Sequence, residues 1–274
     1  MTTLHFIPLL TTQAGSCLTS KNWQEVGVSC VSYSLMSILI KPGLNTLCTL
    51  PDWKKYAGWS KDWVLNASME KAPIEEKYAF RSPYDGARLS CSFDDIVKII
   101  LHLQPTMVIL PKGFHVVDKL SDLAKTSALF VPANEVSHYP MHLIRGIYYD
   151  AQNTSESLEI IRQHSQQFSA YQCYLSGPLD ESFRSAIVDL SMAVFVESDL
   201  PALDACSGVV YSQGTSIDLK DAQYEKQFES IAPGCLCPTC KQNFTRAYLY
   251  HLLQQTPLLC QRLLIQHNIH TVIF

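Results

Sequence analysis

Residues 92–110, SFDDIVKIILHLQPTMVIL, predict one helix followed directly by one buried strand. Ser92 can cap the helix, because Asp95 stands three residues later and can return the hydrogen bond. Apolar side chains recur with helical spacing at Ile96, Ile99, Ile100 and Leu103. The short apolar run Thr106–Leu110 is typical of a buried strand.

The same alternation of strand and helix continues toward the C-terminus. Further segments are predicted as a strand at Leu143–Tyr149, a helix opened by Asn153 and Glu156 and reaching about Phe168, a strand at Gln172–Leu175, a helix from Asp180 to about Leu190, a strand at Ala193–Val196, and a hairpin from Gly208 to Leu219 that turns at Gly214. Repeated β–α units predict a parallel sheet with helical crossovers. A (β/α)8 barrel needs about 250 residues, which the 274-residue chain can supply, and a doubly wound sheet is the main alternative.

Composition excludes several classes of protein. Apolar residues make up 47% of the chain and charged residues 17%, so the chain can bury a full core and is not disordered. The net charge of −4 excludes a strongly cationic surface, so any RNA binding would depend on local patches. Neither a signal peptide nor an apolar run long enough for a membrane span is found, and we expect a cytoplasmic protein with reduced thiols.

Three of the ten cysteines are clustered as Cys235-Leu-Cys237-Pro-Thr-Cys240. Three thiols within six residues in a reducing compartment suit a structural Zn²⁺, which takes four sulfur or nitrogen ligands. The candidates for the fourth ligand are His251, His267 and His270, of which His267 is our choice. The other seven cysteines are interpreted as small buried hydrophobic residues: Cys17, Cys30, Cys48, Cys91, Cys173, Cys206 and Cys260.

Three C-terminal motifs resemble the tRNA-guanine transglycosylases, also called queuine tRNA-ribosyltransferases. The three clustered cysteines match the family's Cys-x-Cys-x-x-Cys knuckle, residues 245–252 (TRAYLYHL) match its SRAYLHHL segment, and His267-Asn268 matches its zinc-binding His-Asn pair. Weaker similarity upstream includes Phe6-Ile7-Pro8 and residues 80–86 (FRSPYDG). The chain is thus identified as a shortened and divergent member of this family.

The resemblance implies a fold, a cofactor and a set of partners. The fold would be a single TIM-type (β/α)8 barrel domain over residues 1–274, possibly incomplete, with a zinc-binding subdomain at about 232–274. Zn²⁺ would be held by Cys235, Cys237, Cys240 and His267. The family exchanges guanine in tRNA for a 7-deazaguanine base through a covalent ribosyl-carboxylate intermediate. The implied partners are tRNA and either a second copy of this chain or a catalytic transglycosylase subunit, with no membrane involved.

The sequence departs from the family at the catalytic positions. Counting back from Pro201 places Glu197 at the nucleophile position, where the family has an aspartate, and Asp199 is the alternative carboxylate. The stretch that best matches the second catalytic acid, Trp63–Ser68, has no acid, and residues 111–114 (PKGF) have none where the family reads the base. We therefore expect lost or altered catalysis, in a non-catalytic homologue or partner subunit. The alternative is an active transglycosylase that uses Glu197.

Overall fold

A computed structural model describes residues 4–69, 71–151, 155–178, 180–187 and 193–273. The strands are β1 Leu4–Ile7, β2 Cys30–Ser34, β3 Asp62–Asn66, β4 Lys77–Arg81, β5 Arg88–Ser92, β6 Met107–Ile109, β7 Ala128–Pro132, β8 Gly146–Asp150, β9 Gln172–Ser176, β10 Val194–Glu197, β11 Val209–Ser212 and β12 Thr215–Asp218. The α-helices are α1 Ser20–Glu25, α2 Leu35–Ile38, α3 Leu44–Thr49, α4 Trp53–Ala57, α5 Phe93–Leu103, α6 Val117–Thr126, α7 Ser155–Gln167, α8 Glu181–Ile187, α9 Leu200–Cys206, α10 Arg246–Gln255 and α11 Pro257–Ile273.

Eight parallel strands form one sheet in the order β1-β10-β9-β8-β7-β6-β3-β2. The two ends of this order approach each other through a parallel bridge between Leu9 and Ser32, where the Leu10 N–H donates to the Ser32 carbonyl at 2.9 Å. The sheet is therefore a nearly closed barrel, because consecutive barrel strands are neighbours all the way round. The prediction of a TIM-type barrel is confirmed, and the doubly wound alternative is wrong because that fold would leave two open edges.

The interior of the barrel is filled by side chains of its strands. The cluster of buried residues consists of Ile7, Val64, Met107, Ile109, Phe130, Tyr148 and Tyr174. Phe130 and Tyr174 meet edge to face with ring centroids 5.5 Å apart, and Phe195 stacks against Tyr174. The apolar strands that the sequence indicated thus bury their side chains in a packed core. This packing holds the ends of the strands, and the polar residues located there, in place.

The helix predicted from the opening motif forms as expected. Ser92 accepts a hydrogen bond from the Asp95 N–H at 3.1 Å, and the Asp95 carboxylate accepts one from the Ser92 N–H at 2.9 Å. This reciprocal pair satisfies two of the free donors at the helix start. The helix ends at Leu103, and the next residue, Gln104, adopts a left-handed conformation with φ of 49°.

The other predicted elements are also present, with small shifts at their ends. β8, β9 and β10 lie where strands were predicted, and β11 and β12 form the predicted hairpin, with Gly214 at its turn (φ +77°). The predicted helix start at Asn153 and the end near Leu190 lie outside the described residues, which begin again at Ser155 and stop at Ile187. The β4–β5 hairpin was not predicted.

Two compact units are distinguished within the chain. The first contains residues 1–11 and 30–197 and holds the barrel, and the second contains residues 12–29 and 198–274. The predicted subdomain at 232–274 lies within the second unit. Among the described residues, we find no helix with the length and apolar character needed to cross a bilayer.

Candidate functional site and metal centre

Glu197, the candidate nucleophile, is the last residue of β10 and lies at the C-terminal edge of the barrel sheet. Its carboxylate accepts three hydrogen bonds. The Asn66 amide and the Ser176 hydroxyl donate to Oε1 at 2.7 and 2.5 Å, and the Tyr174 hydroxyl donates to Oε2 at 2.8 Å. Active sites of such barrels occupy this edge, so Glu197 has the position expected of a catalytic group.

Glu197 and its hydrogen-bond partners are closed off from solvent inside the barrel. Its side chain is 1% exposed, and Tyr174 and Tyr148 lie beside it in the barrel core. Burial and the nearby carboxylate of Glu197 raise the pKa of Tyr174 well above its usual value, and burial raises the pKa of Tyr148. Both phenols therefore stay protonated at neutral pH, and Tyr174 donates its hydrogen bond to the Glu197 carboxylate.

Asn66 was overlooked in the sequence as a functional residue. It ends β3, inside the stretch that matches the family's second catalytic acid, and its amide contacts Glu197 across the barrel. Its Oδ1 accepts the Ser68 N–H at 3.0 Å, which fixes the orientation of the amide. The carboxylate of Glu197 is therefore bonded to an amide that lies within the stretch Trp63–Ser68.

Residues 111–114, which the resemblance places where the family reads the base, are held by contacts with the rest of the first unit. The Gly113 N–H donates to both carboxylate oxygens of Glu135, at 2.8 and 3.1 Å. The hydroxyls of Tyr78 and Tyr139 donate to the carbonyls of Lys112 and Phe114 at 2.7 and 3.1 Å. The only acid in this set is therefore used to fix the backbone of the loop.

Asp199, the alternative carboxylate, belongs to the second unit and precedes α9. Its backbone carbonyl accepts the N–H groups of Ala202 and Leu203 at 3.0 and 2.9 Å, and its carboxylate contacts the hydroxyl of Thr12. Burial raises the pKa of Asp199. Asp199 therefore has the contacts of a residue at the start of a helix.

The second candidate site brings together Cys235, Cys237, Cys240 and His267. One ligand atom from each of these residues lies within 4.8 Å of all the others. The three sulfurs lie 3.7, 3.4 and 3.4 Å from Nδ1 of His267, in chain order of the cysteines. Among the described residues this is the only such cluster of three or more His, Cys, Asp and Glu side chains.

These distances fit a tetrahedral zinc ion. With Zn–S of about 2.3 Å and Zn–N of about 2.0–2.1 Å, the sulfur–nitrogen edge of a tetrahedron measures about 3.5 Å. The Nε2 atom of His267 lies 2.7 Å from the Tyr211 carbonyl, which can only accept, so Nε2 carries the hydrogen and Nδ1 presents its lone pair to the sulfurs. A hydrogen bond from Cys240 holds the pKa of Cys237 well below its usual value, so the cluster already favours a thiolate.

The other two histidines considered as ligands lie outside this cluster. His251 is exposed on α10, and His270 lies one turn beyond His267 on α11. Sequence reasoning therefore selected the histidine that the fold brings to the cysteines.

Asn268, the neighbour of His267, ties three elements of the second unit together. Its amide donates to the carbonyls of Pro201 and Val209, both at 3.0 Å, and its Oδ1 accepts the Tyr211 N–H at 3.1 Å. The side chain is fully buried, so all three bonds are shielded from water. Of the matched His-Asn pair, His267 thus belongs to the cluster, and Asn268 holds together the elements that support it.

Comparison with known proteins agrees with this geometry. The family model described as queuine tRNA-ribosyltransferase matches residues 188–273. A queuine tRNA-ribosyltransferase of Sorangium cellulosum is 39% identical over 71 residues, which cover 26% of this chain and only 18% of that relative. Relatives of the same name from Treponema denticola and Thermotoga neapolitana are 22% and 23% identical over 317 aligned positions, which cover 96% and 98% of this chain and 82% and 84% of those proteins.

Proposed function

Since this chain is a divergent member of the queuine tRNA-ribosyltransferase family, we propose that it is a tRNA-guanine transglycosylase-like protein whose own catalysis is lost or altered. Its role would be that of a non-catalytic homologue or a partner subunit in queuosine-type modification of tRNA. The observation that carries this proposal is the state of Glu197, the candidate nucleophile, which is buried and accepts hydrogen bonds from three donors.

The base-exchange reaction makes clear demands on a carboxylate. One oxygen must attack C1′ of the guanosine while the bond to the base breaks, which gives a ribosyl ester and free guanine. A second acid must supply the proton that the departing guanine takes up. The incoming base then displaces the carboxylate and restores it. The nucleophile must therefore present a free oxygen to a ribose, close to a proton donor.

Glu197 meets these demands poorly. The three donors take up most of the roughly four lone-pair sites of a carboxylate. At 1% exposure no ribose carbon can approach either oxygen without rearrangement of the core. Asn66, which lies in the stretch that best matches the second acid, cannot supply a proton, because an amide does not titrate near neutral pH. These three facts support loss or change of the reaction.

The metal centre, in contrast, has a complete set of ligands. Cys235, Cys237, Cys240 and His267 would hold one Zn²⁺, whose bonds would stabilise the fold of the second unit rather than take part in chemistry. A structural metal still stabilises the protein when catalysis is lost, because the fold of the surrounding helices depends on the metal. We therefore propose that the second unit serves tRNA binding or pairing with a catalytic transglycosylase.

The alternative is an active enzyme that exchanges guanine for a 7-deazaguanine base through Glu197. It is favoured by one observation, namely that a carboxylate stands at the C-terminal edge of the barrel, where the family's chemistry takes place. It requires the Asn66 and Ser176 contacts to open when tRNA binds. The cytoplasm, with its reduced thiols, is the compartment that we propose in either case.

Two measurements test the proposal. The purified chain is incubated with tRNA and labelled guanine, and we expect no incorporation; label that enters tRNA and is lost in Glu197→Gln would establish the enzyme instead. The chain is then co-expressed with a full-length transglycosylase, and we expect the two to purify together. A monomer that has no affinity for tRNA and no transglycosylase partner would contradict the proposed role.

A further inference from the structure

Two cysteines of the second unit, far apart in the chain, are neighbours in the fold. Cys17 ends a short 3₁₀-helix, Gly15–Cys17, and Cys206 is the last residue of α9. The sequence alone indicated small buried hydrophobic residues at both positions, but the structure leaves both thiols half-buried. The Cys206 thiol donates a hydrogen bond to the Cys17 sulfur. The second unit thus has a pair of thiols that solvent can reach.

The contact is one end of a longer pairing between α9 and the segment from Thr12 to Cys17. The Thr12 hydroxyl donates to the carboxylate of Asp199, which immediately precedes α9, and the two thiols meet at the other end of the helix. The 3₁₀-helix and α9 both pack against α11, whose Gln261 side chain donates to the Cys206 carbonyl at 2.9 Å. Contacts on both sides therefore hold the thiols next to each other.

The surroundings assign different roles to the two thiols. Burial and the neighbouring Cys17 sulfur raise the pKa of Cys206 to about 11, so Cys206 keeps its proton at neutral pH. Because the thiolate is the reactive form, the first attack on an oxidant falls to Cys17. Once Cys17 has reacted, its charge no longer holds the proton on Cys206, which can then attack in turn. A reactive thiol beside a second one is the arrangement of redox-sensitive cysteines.

We propose that Cys17 and Cys206 form a reversible disulfide when the protein meets a peroxide, and that this bond fastens the segment that begins at Thr12 to α9. Neither cysteine belongs to the metal cluster or to the hydrogen-bond partners of Glu197, so the proposal does not depend on the proposed function.

The reaction has two steps. The Cys17 thiolate attacks one oxygen of hydrogen peroxide and the O–O bond breaks, which gives Cys17 sulfenic acid and a hydroxide that takes up the proton lost by Cys17. The Cys206 sulfur then attacks the sulfenic sulfur, the S–O bond breaks, and the Cys206 proton leaves with that oxygen as water. Two thiols thus give two electrons and two protons to one peroxide, which becomes two waters. A dithiol reverses the bond by thiol–disulfide exchange.

Peptide mapping detects this bond directly. The full chain is reduced, supplied with Zn²⁺ and treated with one equivalent of hydrogen peroxide, and the remaining thiols are alkylated before digestion and mass spectrometry. Trypsin cuts after Lys21, Arg184 and Lys220, so the peptides 1–21 and 185–220 carry one cysteine each. A disulfide between Cys17 and Cys206 therefore gives one linked peptide, which dithiothreitol removes.

Three variants accompany the parent protein. Cys17→Ser and Cys206→Ser each remove one thiol of the pair, and Cys48→Ser is the control, because it removes a half-buried cysteine of the first unit. Circular dichroism checks that all three are folded. Dimedone, which reacts with sulfenic acids, traps the product of the first step.

We expect the linked peptide to form at least about tenfold faster in the folded parent than in the same chain unfolded in urea, because the fold holds the two thiols together. Cys48→Ser should form it at the rate of the parent. Cys206→Ser should accumulate dimedone-labelled Cys17 at least about tenfold above the parent, because the second thiol is gone. No linked peptide in the folded parent, or one that forms no faster than in urea, would overturn the proposal.

Discussion

Replacing Glu197 by glutamine separates a structural carboxylate from a catalytic one. Glutamine keeps the shape of the side chain but offers one oxygen instead of two and adds two N–H donors. The Asn66 amide and the hydroxyls of Ser176 and Tyr174 now donate to a charged acceptor. In Glu197→Gln these three donors must share one neutral amide oxygen. The new N–H₂ group of the glutamine also points at donors, with which it cannot form hydrogen bonds.

The size of the effect follows from these three bonds. A hydrogen bond to a charged group contributes about 1.5–3 kcal/mol and one between neutral groups about 0.5–1.5 kcal/mol. Three such changes lose roughly 3 kcal/mol, part of which is offset because a neutral amide is easier to bury than a carboxylate. We expect a net loss of about 2 kcal/mol in the free energy of unfolding. At roughly 2–4 °C per kcal/mol for a chain of this size, the Tm would fall by about 4–8 °C. Glu197→Ala should cost more, because it leaves the donors without any partner.

Urea unfolding followed by tryptophan fluorescence measures this loss, since Trp53, Trp59 and Trp63 are buried in the first unit. Asp150→Asn is the matched control, because Asp150 is an exposed carboxylate that ends the nearby strand β8, and it should change stability by less than about 0.5 kcal/mol. A Glu197→Gln protein as stable as the parent, or more stable, would refute the reasoning, because that is the behaviour of a carboxylate kept for catalysis at the expense of stability.

Three further predictions concern the second unit and the thiols. Metal analysis should find about one zinc per chain, and Cys237→Ala should lose it together with stability, whereas a folded protein without metal would contradict the metal centre. Asn268→Ala should destabilise the protein by about 3 kcal/mol in thermal unfolding, because three buried backbone groups lose their partner; a loss below about 1 kcal/mol would show that water replaces the amide. Outside the metal cluster, a thiol reagent at pH 8 should label Cys17 and Cys48 before Cys30, because burial raises the pKa of Cys30 to about 12 and leaves it without thiolate at that pH; rapid labelling of Cys30 in the native protein would contradict this reasoning.

Much of the barrel could be predicted because its signals are local. The capping pair Ser92 and Asp95 stands within four residues, and the apolar runs of the strands are continuous in sequence. The β4–β5 hairpin was missed because Lys77–Arg81 has three apolar residues in a row instead of alternating, and the alternation of Arg88–Ser92 extends over only five residues. The turn at Asp85-Gly86 also left a signal, and Gly86 has the positive φ of 71° that such a turn uses.

The two candidate sites differ in how far sequence reasoning could reach. The three clustered cysteines are close in the chain, so only His267 had to be chosen from a distance, and its place on the second C-terminal element and in the His-Asn pair indicated it. The partners of Glu197 include Asn66, which is 131 residues away, and neither its amide type nor its position suggests a bond to a carboxylate. The burial of Glu197 depends on packing across the barrel. The pattern of apolar residues within one strand carries no information about such contacts.

The central claim, that Glu197 is a structural carboxylate rather than a nucleophile, is tested most directly by trapping the covalent intermediate. Excess protein is incubated with labelled tRNA, quenched in denaturant and separated on a denaturing gel, on which a ribosyl ester at Glu197 would carry the RNA label with the protein. We predict no labelled protein band under conditions in which an active transglycosylase forms one. A labelled band that disappears in Glu197→Gln would contradict the claim.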